Sequence, residues 1–329
     1  MMTERRPQPA PEAAGDSCCL CGACFSVCPT SSIKIDIRED SVSVLPSCTG
    51  CGLCARICPA INRLPGGLKP LEAYTARTKL DDVREVCQDG GVVSSILIWA
   101  LESGYAKAAV VGGLSDTEPL LPEPHVATSR ADVVRSAGSR YTPSPNLSLL
   151  RELSKTVGKG EAVLVGLPCQ IRAFHIIRER RLVKYSNPIR LTVGLFCMES
   201  FPYAAFTERI LKGLLGTDPQ EVRKVNIKKG FLIVTLRSGE ERKVKVSELR
   251  GYMRGSCRTC PDLTSEFADI SVGGIGSEAG WSTVLLRTEE GAKVFREVVS
   301  SGYLEAKPLP EASLKLIQRL SERKRKRGA

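Results

Sequence analysis

The stretch CCLCGACFSVCP at residues 18–29 spaces its cysteines as Cys18-x2-Cys21-x2-Cys24-x3-Cys28-Pro29. The same spacing returns in CTGCGLCARICP at 48–59, as Cys48, Cys51, Cys54, Cys58 and Pro59. Three thiolates two residues apart wrap one iron–sulfur cubane in a tight loop, and the fourth reaches across to the cubane of the other repeat. Two ligand sets follow: Cys18, Cys21 and Cys24 with Cys58, and Cys48, Cys51 and Cys54 with Cys28. Zinc is the competing metal, but zinc ribbons do not use eight cysteines in two such repeats. Cys19 stands outside the spacing and reads as a small buried or loop thiol.

Gly22, Gly50 and Gly52 let the backbone fold closely around the sulfides, and SIKIDIREDSVSV (32–44) alternates like a small hairpin. Residues 17–64 therefore look like a bacterial-type 2[4Fe-4S] ferredoxin domain, preceded by a flexible tail at 1–16. In INRLPGGLKPLEA (61–73) two prolines and two glycines break any periodic pattern. A linker is expected at 65–73.

The chain has 329 residues, 42% of them apolar, enough for a substantial core. Its 14 cysteines fall in metal-ligand runs and no apolar leader opens MMTERRPQPAPEAAGD, so a reducing, cytoplasmic setting is expected. The longest apolar run, VVSSILIWAL (92–101), is too short to span a bilayer. A net charge of +11 favours an anionic partner without choosing one. Part of it lies in RLSERKRKRGA (319–329), where Arg323 to Arg327 form an unbroken basic run. The segment 311–329 is expected as a basic helix or tail, its end solvated and frayed, unless it docks on an anionic membrane or an acidic partner face.

Beyond the linker, residues 74–310 alternate helix-like and strand-like segments. A helix is expected over 91–104, opening beside Gly90 and Gly91, and buried strands in AKAAVVGG, AVLVGLPC and IRLTVGLFC. FLIVTLRSGEERKVKV reads as an antiparallel hairpin turning near Ser238 and Gly239, so the fold is expected to be mixed α/β rather than doubly wound. Two of the strands finish with a cysteine, Cys169 and Cys197, on the edge where open α/β sheets bind ligands. With Cys257 and Cys260 they make four thiolates, enough for a third [4Fe-4S] cluster; the other reading leaves them as ordinary buried apolar side chains. GGIGSEAG (273–280) lacks the dinucleotide fingerprint spacing and there is no Walker A motif, so nicotinamide and nucleoside triphosphates are unsupported. The two histidines, His125 and His175, have no partner motif and read as structural.

Six ordered segments, CQDGGVVSSILIWALESG, AGSRYTPSPNL, VGLPCQIRA, VGLFCMESFPY, CRTCPDLTSEFADISVGGIGS and GWSTVLLRT, resemble the family of beta subunits of coenzyme F420 hydrogenases and dehydrogenases. With the ferredoxin module in front, the likeness is to the electron-input subunits of archaeal F420H2 dehydrogenase complexes. The resemblance implies FAD, coenzyme F420 as substrate, and a third cluster on Cys169, Cys197, Cys257 and Cys260. It implies a flavin and deazaflavin pocket from Gln88, Asp89, Gly90 and Gly91, from Arg140, Tyr141, Ser144 and Asn146, and from Gly276 and Trp281, with no catalytic side chain. Electrons would pass from reduced F420 through FAD to the clusters and on to other subunits of a dehydrogenase or hydrogenase-like complex, or to a soluble ferredoxin. No nucleic acid is expected, and membrane association only at the periphery. Two alternatives remain: a ferredoxin-dependent flavin reductase of the same fold acting on another substrate such as a vinyl group, and a non-catalytic iron–sulfur subunit. Arg140 stands where the family commonly has lysine, and SEAG (277–280) where it commonly has Ser-Pro-Asp-Gly.

Overall fold

A computed structural model describes residues 8–328. Of the expected tail, residues 1–7 lie outside that range, whereas Ala10–Ala14 form a helical turn. Ala10 is buried and its N–H points at the Cys54 sulfur at 3.3 Å, so this segment is packed onto the cysteine module.

The two cysteine repeats fold alike. Helical turns Ala23–Val27 and Leu53–Ile57 each start after a glycine in the left-handed region, Gly22 (φ 88°) and Gly52 (φ 71°), a conformation that a side chain would strain. Between them β1 (Ile33–Asp36) pairs antiparallel with β2 (Ser41–Val44), the expected hairpin.

The large sheet is built from β3 (Glu72–Thr78), β4 (Ala108–Leu114), β5 (Pro122–Ala127), β6 (Ala162–Gly166) and β7 (Ile189–Leu195). A separate three-stranded antiparallel sheet follows, from β8 (Val222–Lys228), β9 (Phe231–Leu236) and β10 (Glu241–Lys245), with Gly239 in the predicted turn at φ 92°. Then β11 (Ile270–Gly273), β12 (Ser282–Leu286) and β13 (Leu304–Pro308) return to the large sheet, whose order is β13-β3-β12-β11-β7-β6-β4-β5. Its middle, β11-β7-β6-β4, is parallel, and antiparallel strands flank it on both sides. This is the mixed α/β fold expected.

Helices cover both faces. Val92–Glu102 and Glu289–Ser300 bury Ile96, Ile98 and Phe295 on one side; Leu150–Thr156 and Pro168–Glu179 bury Leu150, Leu153, Ile171 and Phe174 on the other. Each such fully buried side chain contributes about 2 kcal/mol of transfer free energy. Ala23, Val27 and Ile57 of the cysteine module lie in the same apolar core as Leu147, Leu164 and Phe174. The module is therefore packed into the large domain and not tethered beside it.

The basic segment near residue 325 departs from the expected solvated tail. Glu311–Gly328 is one helix, and Ile317, Ser321, Lys324 and Gly328 on one of its faces are buried. Within the basic run Lys324 is buried, and the exposed Arg325 and Arg327 pair with Glu266 at 2.7 Å and Glu199 at 3.7 Å.

Candidate functional site

The parallel strands β4, β6, β7 and β11 end on one edge of the sheet, and the candidate residues gather there. Cys197 lies two residues past β7, as expected of a strand end. Cys169 does not end a strand: β6 stops at Gly166, and Pro168 at the first position starts the helix Pro168–Glu179, so Cys169 sits on its first turn. The ring of proline presets the helical φ, which is why the chain turns one residue before the cysteine.

Two hollows surround the repeats. One, with about 330 Å³ of empty space including its mouth, is lined by Cys28, Cys48, Cys51 and Cys54. The other, about 370 Å³, is lined by Cys18, Cys19, Cys21, Cys24 and Cys58. The linings group the eight motif cysteines as the spacing does, with Cys19 added to the second. Among the described residues no three His, Cys, Asp or Glu side chains converge as a site for a single metal ion. Burial raises most of these thiols, Cys24 up to about 12. Cys28 is lowered: burial raises it, but the Ser32 N–H at 3.2 Å and then Thr30 outweigh that. Such N–H groups favour the thiolate that binds iron.

Cys169, Cys197, Cys257 and Cys260 come together as a third group. Burial holds Cys197 well above its ordinary range; Lys324 opposes it, and Cys257, Cys169 and Cys260 add to it. The Ser200 N–H points at the Cys257 sulfur at 3.3 Å, and the Cys197 N–H donates to the Leu263 carbonyl at 2.9 Å. Four partly buried cysteines grouped in this way fit a site whose iron would compensate the charge of their thiolates. Cys19 lines the second hollow and adjoins this cage as well: Cys169 lowers its thiol, while Cys21 and burial push it well above the ordinary value. Its position, and not the motif spacing, gives it interest.

The expected flavin residues fall into two groups. Gln88, Asp89, Gly90 and Gly91 form the turn after Cys87, whose thiol donates to the Asp89 carbonyl at 3.0 Å. The Gly90 N–H donates to Ser282 Oγ at 3.0 Å, which sets the turn against β12; Trp281 immediately precedes that serine, with Arg77 and Lys307 over its ring at 4.6 and 4.3 Å. Gly276 (φ 94°) packs under Ile317 of the long C-terminal helix. Both amide atoms of Gln88 are shielded from solvent and have no partner among the described residues, and a Cβ on Gly274 would stand 2.5 Å from Asp89 Oδ2. Burial raises Asp89, and Lys224 and Lys228 pull it back. An orphaned buried amide is costly unless a ligand completes it, so this turn fits the polar edge of a flavin ring. Tyr141 joins this group: burial raises its phenol, Asp89 and Cys197 both act on it, and its oxygen accepts the Ile227 N–H at 3.0 Å.

The other residues are engaged in contacts of their own. Ser144 donates to Asn146 Oδ1 at 2.7 Å, and Asn146 donates to the Val165 carbonyl at 3.0 Å, which fastens their loop to β6. The next residue, Leu147, donates to the Cys21 carbonyl at 3.0 Å, so this loop lies on the seam with the cysteine module. Arg140 is spent on the carbonyls of Ser136, Ala137 and Gly138, closing the end of the helix Arg130–Arg135. All three contacts are made by one guanidinium nitrogen, Nη1.

Two cysteine-lined hollows packed into a mixed α/β sheet define an iron–sulfur electron-transfer protein. Family comparison agrees: residues 11–59 match the 4Fe-4S dicluster domain, 73–151 the N-terminal part of the coenzyme F420 hydrogenase/dehydrogenase beta subunit, and 160–312 its C terminus. Coenzyme F420 hydrogenase subunit beta of Methanosarcina barkeri is 32% identical, over 78% of this chain and 89% of its own. A subunit of the F(420)H(2) dehydrogenase of Methanosarcina mazei is 33% identical, over 95% of this chain and 91% of its own. A chain in a structure of the F420-reducing [NiFe] hydrogenase complex from Methanosarcina barkeri superposes with a TM-score of 0.75 at 30% identity, covering 81% of this chain and 92% of that one. The chain belongs to the family of coenzyme F420 hydrogenase/dehydrogenase beta subunits and is an oxidoreductase. Among the described residues no helix is long and apolar enough to cross a membrane.

Proposed function

We propose that this chain takes electrons from reduced coenzyme F420 through FAD and delivers them, by way of three [4Fe-4S] clusters, to other subunits of a dehydrogenase or hydrogenase-like complex or to a soluble ferredoxin. The observation that carries the reading is the end of β11, where Asp89 lies against Gly274 and Phe196, the neighbour of Cys197, lies against Gly273. Two adjacent glycines thus stand between the Gln88–Asp89 turn and the third cysteine cage. FAD held at that turn would exchange a hydride with F420 and single electrons with iron–sulfur clusters, a conversion that neither partner makes alone.

The side chains then have positioning roles. Gln88 and Asp89 meet the polar edge of the flavin, and Gly90 and Gly91 allow close backbone approach. Lys224 and Lys228, with the net charge of +11, favour the phosphate and glutamyl tail of F420. Cys169, Cys197, Cys257 and Cys260 hold the cluster nearest the flavin turn, and Cys18, Cys21, Cys24 and Cys58 the next. Purified chain with its FAD and iron counted should oxidise F420H2 with a dye acceptor. Oxidation no faster than a buffer control, with FAD and twelve irons present, would overturn the F420 assignment; iron without FAD would favour a non-catalytic electron-transfer subunit.

A further inference from the structure

We propose that Lys324 is the fixed counter-charge of the third cysteine cage, a positioning residue that raises the reduction potential of the cluster held there. The proposal rests on the reading that Cys169, Cys197, Cys257 and Cys260 bind a cluster. Lys324 lies on the helix Glu311–Gly328, is 3% exposed, and donates through Nζ to the Cys197 carbonyl. Past it, the helix closes over the cage: Arg327 donates to the carbonyls of Met198 and Cys257 at 3.4 Å each, and a Cβ on Gly328 would stand 2.8 Å from the Thr259 carbonyl oxygen.

Four arginines near the cage face a carboxylate, whereas the buried Lys324 does not. Arg172 faces Asp262 at 3.9 Å, Arg254 faces Asp40 at 3.2 Å, Arg325 faces Glu266 and Arg327 faces Glu199. Among the described residues Lys324 makes no ion pair. A buried ammonium without a carboxylate is expensive unless another negative charge compensates it. The charge available is the cage itself, because four thiolates outweigh the positive core of a [4Fe-4S] cluster. After burial, which raises both thiols, Lys324 is the largest influence on Cys197 and on Cys260, and it acts in the opposite sense.

The consequence is electrostatic. One-electron reduction adds a negative charge to the cluster with no bond made or broken, the electron coming from the flavin. A nearby buried cation stabilises the reduced form more than the oxidised one, which raises the potential. Lys324 thereby makes this cluster a better acceptor for electrons leaving the flavin turn.

The test is a redox titration of the purified full chain, followed by electron paramagnetic resonance with iron and FAD counted, for the wild type, Lys324→Met, Lys324→Arg and Lys326→Gln. Lys326 is the exposed control on the same helix. The third cluster's signal is identified as the one missing from Cys260→Ala. In Lys324→Met that cluster should keep its iron and show a reduced-to-oxidised ratio about tenfold lower at the wild-type midpoint, with the other two clusters unmoved. Lys324→Arg and Lys326→Gln should titrate close to wild type. An unshifted cluster in Lys324→Met overturns the proposal. If Lys324→Met sheds that cluster, retention at wild-type potential in Lys324→Arg supports the charge role, and loss in both assigns Lys324 to packing alone. A wild-type chain holding only two clusters refutes the third-cluster reading instead.

Discussion

Cys260 is where the proposed third cluster is most easily separated from the other two, because it lies outside both ferredoxin hollows. Cys260→Ala should lower iron by about one cubane, leave the two N-terminal clusters intact and stop transfer from flavin to ferredoxin module. Full iron and full transfer in that variant would reduce the pair Cys257 and Cys260 to a structural role. Asp89 offers a test by pH. Burial raises its carboxyl in the folded chain, so the folded state binds its proton more tightly than the unfolded state does. Stability from that proton is present below the unfolded pKa and is lost as pH rises through the folded one. Asp89→Asn should therefore flatten that loss and be at least as stable as wild type at pH 7 in denaturant melts, while retaining less FAD. A variant that melts like wild type at every pH would show the carboxylate to be well solvated. The cysteines were legible because metal ligation imposes spacing. Lys324 and Cys19 were not, since their interest comes from three-dimensional neighbours: Cys197 for one, and Cys169 with Cys21 for the other.

At the level of single elements, the helix Arg130–Arg135 is closed at both ends by side chains. Ser129 and Asp132 form a capping box at its start, and the Arg140 guanidinium donates to the carbonyls of Ser136 and Ala137 just past its end. Ser129→Ala should cost about 1 kcal/mol, read as a lower denaturation midpoint with an unchanged slope. The backbone N–H of Thr128, then the Ser129 hydroxyl, hold the Asp132 carboxyl down at about 2. That contribution is present above the unfolded carboxylate pKa and is lost as pH falls through about 2, and Asp132→Asn should remove this acid-range dependence. The strands were readable from short apolar runs and the β9–β10 turn from Ser238-Gly239. The start of the helix at Pro168 was signalled by proline at the first helical position, a cue that the apolar run VLVGL obscured. The C-terminal helix was hidden for a different reason. Its buried stripe, 317, 321, 324 and 328, has helical spacing, but only Ile317 of the four is apolar, so hydropathy shows a polar tail where packing makes a buried face.

Across the whole molecule, the cysteine module and the large domain share one core and a polar seam. Arg151 donates to the carbonyls of Ser26 at 3.0 Å and Phe25 at 2.9 Å, and Arg254 donates to the Cys18 carbonyl at 2.9 Å while facing Asp40. Arg254→Met leaves Asp40 without its partner and should cost about 2 kcal/mol, less than a fully buried pair because Asp40 keeps some solvent. Chemical denaturation measures this, and an unchanged midpoint would show the seam to rest on apolar packing alone. The two modules were each legible in the sequence, but their docking was not, because it depends on contacts between residues more than a hundred positions apart, such as Arg151 with Ser26. The position of Cys19, between Cys169 and Cys21, then bears on kinetics. A relay that crosses the seam within one covalent chain is a first-order process, and its rate constant stays the same when the protein is diluted. Only the final delivery to a partner would slow with dilution, so the concentration dependence of turnover separates the internal crossing from the external encounter.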